Sequence, residues 1–164
     1  MKTVYLIGGT MGVGKTAVCH ELTGLLERNI FLDGDWCWNA TPFVVTEETK
    51  HMVLENICFL LNQFIRCPAY EHVIFCWVMH EQSIIESILS GLERKNCKVC
   101  VISLVCSEQT LRARLTKDVA AGTRTEDVIE RSVSRILRYQ ELNSIKINTD
   151  NRTIREIAEE IANL

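Results

Sequence analysis

The sequence predicts an α/β fold built on a parallel sheet, and three observations predict it. Gly9-Thr10-Met11-Gly12-Val13-Gly14-Lys15-Thr16 has the spacing G-x-x-x-x-G-K-[ST], with an apolar run at 4–7 before it and a helical pattern after it. Strand-length apolar runs then alternate with helix-period segments along the rest of the chain, which argues for parallel strands joined by right-handed crossovers. Finally, the run 73–78 is apolar without alternation, as expected of a central strand covered on both faces.

The first element is a strand at residues 4–7, and the loop after it is an anion cradle. Gly8, Gly9, Gly12 and Gly14 let the backbone wrap a phosphate with its N–H groups turned inward, and the helix begun near Gly14 aims its positive end at the same point. Thr10, Met11, Val13 and Ala17 contribute backbone to this wrap. Lys15 can reach bridging and terminal phosphate oxygens, and the Thr16 hydroxyl suits the shell of a Mg²⁺ ion. The helix carries Val18, Leu22, Leu25 and Leu26 and ends near Arg28.

A second strand at 30–32 runs into Asp33-Gly34-Asp35-Trp36-Cys37-Trp38. If the extended backbone continues to residue 35, Asp33 and Asp35 face the same way and share one wall. Residues 39–46 form a loop broken by Pro42, and a helix from Glu47 to Arg66 presents Val53, Ile57, Leu60, Leu61 and Phe64 on one stripe. Cys67-Pro68 stops it. After the strand at 73–78, Ile84, Ile85, Ile88, Leu89 and Leu92 mark a third helix, and 99–105 a fourth strand. Ser107 caps a helix holding Leu111 and Leu115, after which 118–124 loses periodicity. Thr123 and Glu126 have capping-box spacing for one further helix, with Ile129, Val133, Ile136 and Leu137 on one side and Arg131, Arg135 and Arg138 as a basic stripe on the other. A fifth strand at 145–147 and a helix with Ile154, Ile157, Ala158 and Ile161 close the chain.

Composition narrows the function. The 164 residues predict one domain, 1–164, and 47% hydrophobic content with two prolines describes a chain with a substantial core. A net charge of −3 supplies no basic field for nucleic acid. No apolar run approaches a membrane span and the amino terminus does not read as a signal peptide, so a cytoplasmic protein without a membrane partner is expected. The eight cysteines sit in apolar runs, which suits buried reduced thiols. Cys97 and Cys100 have redox or zinc-knuckle spacing, but no second pair accompanies them. No Asn-Lys-x-Asp guanine motif is present, and ATP is the expected nucleotide.

The loop, the acidic pair after the second strand and the arginine-bearing segment before the last long helix together resemble the small-molecule kinases related to nucleoside monophosphate kinases. The resemblance is nearest to the shikimate kinase, gluconate kinase and chloramphenicol phosphotransferase branch. It implies the P-loop NTPase fold with strand order 2-3-1-4-5, a substrate segment after strand 2 and a short lid at about 117–126. It also implies a reaction in which ATP and Mg²⁺ phosphorylate the hydroxyl of a small molecule. By this similarity Lys15 holds phosphates and Asp33 shares the metal with Thr16. Asp35 aligns the acceptor hydroxyl or takes its proton, Arg114 stacks on adenine, and Arg124 closes from the lid. Arg131 is a second-rank phosphate or substrate ligand.

The chain also departs from those relatives. Val78-Met79-His80 stands where many P-loop ATPases end the third strand with a metal-orienting Asp, and the second-strand segment lacks the Gly-Asp-x-x-His expected of gluconate kinases. His80 either begins a loop or touches a substrate. Trp36, Trp38 and Phe43 follow the acidic pair closely, and their faces suit a nucleoside-like or aromatic acceptor, or else pack as core. The alternative to a kinase is a nucleotide-binding regulatory module or ATPase with no acceptor. The expected state is a monomer or homodimer.

Overall fold

The computed structural model describes all of residues 1–164. Five parallel strands, β1 (Lys2–Gly8), β2 (Asn29–Asp33), β3 (His72–Trp77), β4 (Cys97–Val105) and β5 (Ile145–Asn148), lie in the order β2-β3-β1-β4-β5. The expected strand order is therefore the one found. β1 is central, pairing Leu6 with Phe75 on one side and with Val101 on the other.

Alternation along β1 sorts its side chains to two cores. Tyr5 and Ile7 join the cluster under α1 (Lys15–Leu25), α4 (Glu108–Ala120) and α7 (Ile154–Ala162), whose anchors include Leu22, Leu111, Leu115 and Ile161. Val4 and Leu6 join the opposite cluster under α2 (Glu47–Arg66) and α3 (Gln82–Gly91), with Ile57, Leu61, Ile85 and Ile88. Every one of these side chains is essentially inaccessible to water, so the strands read as continuous apolar runs because both faces are covered. No helix is long and apolar enough to cross a membrane.

Three local expectations are corrected. First, β2 stops at Asp33 and the chain turns into a short 3₁₀ helix, Gly34–Trp38, so strand alternation does not relate Asp33 to Asp35. Second, the single helix expected after the lid is two, α5 (Asp127–Val133) and α6 (Ile136–Glu141). The i to i−3 bonds from Arg135 N to Ser132 O and from Arg138 N to Arg135 O tighten and rephase the chain at the join. The reason is topological: Val128 packs into the α1-side core while Tyr139 packs into the α2-side core, and one straight stripe cannot serve both faces. Leu137 is consequently 75% exposed, and the basic stripe is broken. Third, periodicity does not end at 118, because α4 continues to Ala120 and closes on Gly122 in the left-handed region, φ +73°. Thr123 makes no capping box with Glu126. Its N–H and hydroxyl both donate to the Asp118 carbonyl, at 3.0 and 2.8 Å.

Candidate active site

Parallel strands deliver all their carboxyl ends to one edge of the sheet, and loops leaving that edge build the site. The residues following Gly8 on β1 form the phosphate loop. No side chain caps the first turn of α1, whose N-cap is Gly14, so that turn offers its amides and positive dipole end to a ligand. Gly12 is required twice over: its φ is +82°, and a Cβ there would lie 2.5 Å from Leu115 Cδ2 on α4. The loop is also tied to its surroundings. The buried Thr10 hydroxyl donates to Ser132 O on α5 at 2.9 Å, which leaves Thr10 only its backbone for the cradle. Arg114 of α4 donates to Val13 O at 3.0 Å and to Thr149 Oγ1 and O at 3.0 and 3.1 Å, linking loop, α4 and the end of β5.

A cavity of about 410 Å³ opens over this loop. Its lining includes 11–18 from the loop and α1, Asp33 from the end of β2, Asp35 from the 3₁₀ turn after it, Trp77 and Val78 from the end of β3, and Arg114, Asp118 and Arg124 from α4 and the turn after it. Thus the cavity gathers Lys15, Thr16, Asp33, Asp35, Arg114 and Arg124, as the sequence predicts. Lys15 Nζ donates to the carbonyls of Gly9 and Thr10, at 2.8 and 3.1 Å, and so lies folded over its own loop. Burial pushes the Lys15 ammonium below its ordinary pKa, while Cys76, Asp35 and Asp33 pull it back up.

Asp33 is buried and has two tasks. Its Oδ1 accepts the Asp35 N–H at 3.0 Å, capping the 3₁₀ turn, and its Oδ2 accepts the Thr16 hydroxyl at 3.0 Å. Capping and metal-side roles are thus compatible on one carboxylate. Asp35 is brought to the cavity by that turn and not by strand alternation. Partial burial, followed by the Asp33 carboxylate, pushes its carboxyl above the ordinary range; Lys15, a side-chain hydrogen bond with Trp77 and Arg124 oppose the shift. The oxygens of Thr16 and Asp33 fit a small hard cation, which takes few protein ligands and completes its octahedron with water and phosphate.

The aromatic expectations fare differently. Trp36 is 60% exposed and packs edge-on against Phe31 at 5.5 Å, while Trp38 meets Phe43 in a tilted pair with centroids 4.8 Å apart. None of the three lines the main cavity. Trp77 does, and it was not singled out from sequence. The signal was available, because the last residue of a parallel strand beside β1 must reach the same edge. Gly34 makes room for it: a Cβ at 34 would lie 2.5 Å from Trp77 Cγ. Thr149, Arg152, Ile154 and Ile157 form a further wall that sequence reasoning also passed over. Arg131 lies in a second, shallower cavity with Met11, Arg124 and Thr125, and pairs with Asp127 at 3.2 Å. His80 stands just beyond β3 with its Nε2 3.6 Å from Glu81. Cys97 and Cys100 both lie on β4 as free thiols, Cys100 buried.

Comparison with known proteins agrees with this architecture. Residues 6–138 match the family model described as AAA domain. No curated protein matches the chain by sequence. Among solved structures, the tunicamycin resistance protein of Deinococcus radiodurans superposes with a TM-score of 0.72 at 20% identity, covering 99% of this chain and 95% of that one. Shikimate kinase from Acinetobacter baumannii, in complex with shikimate, gives 0.63 at 21% identity over 99% and 91%. The APS kinase of Mycobacterium tuberculosis, in complex with AMPPNP and APS, gives 0.67 at 16% over 99% and 95%. At these identities the likeness is one of fold, the P-loop kinase fold.

Proposed function

Because the chain belongs to the AAA domain family and has the P-loop kinase fold, we propose that it transfers the terminal phosphoryl group of ATP to a hydroxyl of a small molecule. One observation carries the proposal: two carboxylates, Asp33 and Asp35, line the same cavity as Lys15 and Thr16, with Arg124 also on its wall. A binding module needs the cradle but has no use for a second acid beside it. In-line transfer needs a group that aligns the attacking hydroxyl, and Asp35 is that group.

The loop amides and Lys15 hold the phosphates, and Arg114 with Thr149, Ile154 and Ile157 borders the nucleoside end. Thr16 and Asp33 would hold Mg²⁺, which supplies charge neutralisation on the triphosphate when bound. Asp35 orients the acceptor hydroxyl and receives its proton, helped by a pKa held above the usual carboxylate range. Arg124, on the proposed lid at 117–126, adds a planar cation to the charge that develops during transfer. Trp77 and Val78 give the acceptor side an apolar wall, which suits an alcohol carried on a ring, nucleoside-like or aromatic, better than a polyol. Names such as shikimate kinase and APS kinase support the reaction class without choosing the acceptor.

The AAA domain match keeps an acceptor-independent ATPase in view as the rival. The test is ADP release from Mg·ATP across a panel of nucleosides, aryl alcohols and polyols. A compound-dependent burst of ADP is expected, with Lys15→Ala abolishing it and Asp35→Asn lowering it about 10²–10⁴-fold. Slow turnover unmoved by every compound would leave the ATPase reading standing, and full activity in Lys15→Ala would remove the loop from the mechanism.

A further inference from the structure

Four cations line the main cavity, and their partners differ in kind. Lys15 rests on loop carbonyls, Arg114 on Val13 and Thr149, and Arg152 on Glu160 and the carbonyls of Asn148 and Glu156. Arg124 alone is paired with a carboxylate that itself lines the cavity: its Nε lies 3.1 Å from Asp118 Oδ2. Both side chains are partly exposed, 32% and 41%, so the pair is weak and a polyphosphate can displace it. The turn between them is built for such an exchange. Thr123 is anchored to the Asp118 carbonyl through both its N–H and its hydroxyl. Gly122 is in the left-handed region, and a Cβ there would meet nothing within 4 Å, so no packed side chain pins that residue. Arg124 also lines the second cavity, so this residue stands between two open spaces.

We propose that Asp118 is a positioning residue that parks Arg124 on the α4 wall, so that the guanidinium reaches the phosphates only when a triphosphate outcompetes the carboxylate. The proposal rests on the nucleotide-site reading above, and its consequence is selectivity by phosphate count. A carboxylate that holds the arginine imposes a threshold that three phosphates pass more readily than two. It also keeps the arginine from stimulating hydrolysis in a half-assembled site.

The experiment is calorimetric titration of the full chain with Mg·AMPPNP and with Mg·ADP. Asp118→Asn is expected to bind AMPPNP about threefold more tightly, with a smaller change for ADP, and Asp118→Glu to behave as the unsubstituted protein. In an Arg124→Ala background, Asp118→Asn is expected to add nothing. The same gain in that background would show plain charge repulsion by Asp118 and overturn the proposal. So would unchanged AMPPNP affinity in Asp118→Asn and in Asp118→Ser, the second variant guarding against a folding defect in the first. Failure of the unsubstituted chain to bind AMPPNP would instead remove the nucleotide site itself and the proposal with it. None of these readouts requires an acceptor, so a missing phosphotransfer activity leaves the result interpretable.

Discussion

Gly34 shows how one residue can set a site's geometry without touching a ligand. It is buried between two carboxylates, and a Cβ built on it would fall 2.5, 2.6 and 2.8 Å from Trp77 Cγ, Cδ1 and Cβ. An alanine there must push back either the indole at the end of β3 or the turn that carries Asp35. Gly34→Ala is expected to cost about 1–3 kcal/mol in urea unfolding, as overpacking does, and to lower turnover through displacement of Asp35 and Trp77. Gly24 is the control. It lies near the end of α1 with nothing within 4 Å of the added methyl, so Gly24→Ala should be neutral or stabilising by up to about 1 kcal/mol. Equal losses in the two variants would show that the close approach of Gly34 to Trp77 is unimportant.

Elements explain why some of this was legible in the sequence and some was not. The phosphate loop was fully legible, because backbone wrapping of an anion demands small residues at fixed spacing regardless of tertiary context. Strands covered on both faces were legible as apolar runs for the same local reason. The pairing of Asp33 and Asp35 was anticipated in outcome but not in cause. The strand ends where the Asp33 side chain captures the Asp35 N–H, and such side-chain competition with the ladder is invisible to a period-2 pattern. The α5–α6 break was illegible because it is imposed by two cores on opposite sheet faces, a constraint no single amphipathic stripe contains. The aromatic trio lies off the main cavity, Trp38 packing against the α2-side core, because proximity in sequence to Asp35 does not survive a tight turn, whereas the end of β3 reaches the cavity through sheet registry.

Capping at this same scale makes a separate prediction. Thr153 and Glu156 form a reciprocal box at the start of α7, with Glu156 N donating to Thr153 Oγ1 at 3.2 Å and Thr153 N donating to Glu156 Oε2 at 2.7 Å. α7 packs against α1, the helix whose first turn offers the phosphate-facing amides, through Ile157, Ala158 and Ile161. Thr153→Ala is expected to cost about 0.5–2 kcal/mol in denaturant unfolding while leaving nucleotide affinity near its original value. A large loss of affinity at unchanged stability would mean the cap acts on the site directly.

At the scale of the whole molecule, the loop is a hub whose ties reach most of the carboxyl edge. Thr10 holds α5, Arg114 ties Val13 to β5 through Thr149, and Thr16 holds the end of β2 through Asp33. A ligand seated in the cradle therefore bears on strands at both ends of the sheet, β2 and β5, as well as on α1. Binding to the folded state alone stabilises by mass action, about 2.7 kcal/mol at a hundredfold excess over Kd, which for a chain of this size corresponds to roughly 5–10 °C in Tm. Mg·AMPPNP should raise Tm by that amount, and Lys15→Ala should abolish most of the rise. The unliganded Tm of Lys15→Ala is itself informative, since burial holds the ammonium below its ordinary pKa and its only hydrogen-bond partners are two loop carbonyls. Removing a charge that the fold disfavours should leave the empty protein at least as stable as before, so ligand response and intrinsic stability move apart. A variant that lost both together would show that Lys15 is a structural strut and not a group held ready for phosphate.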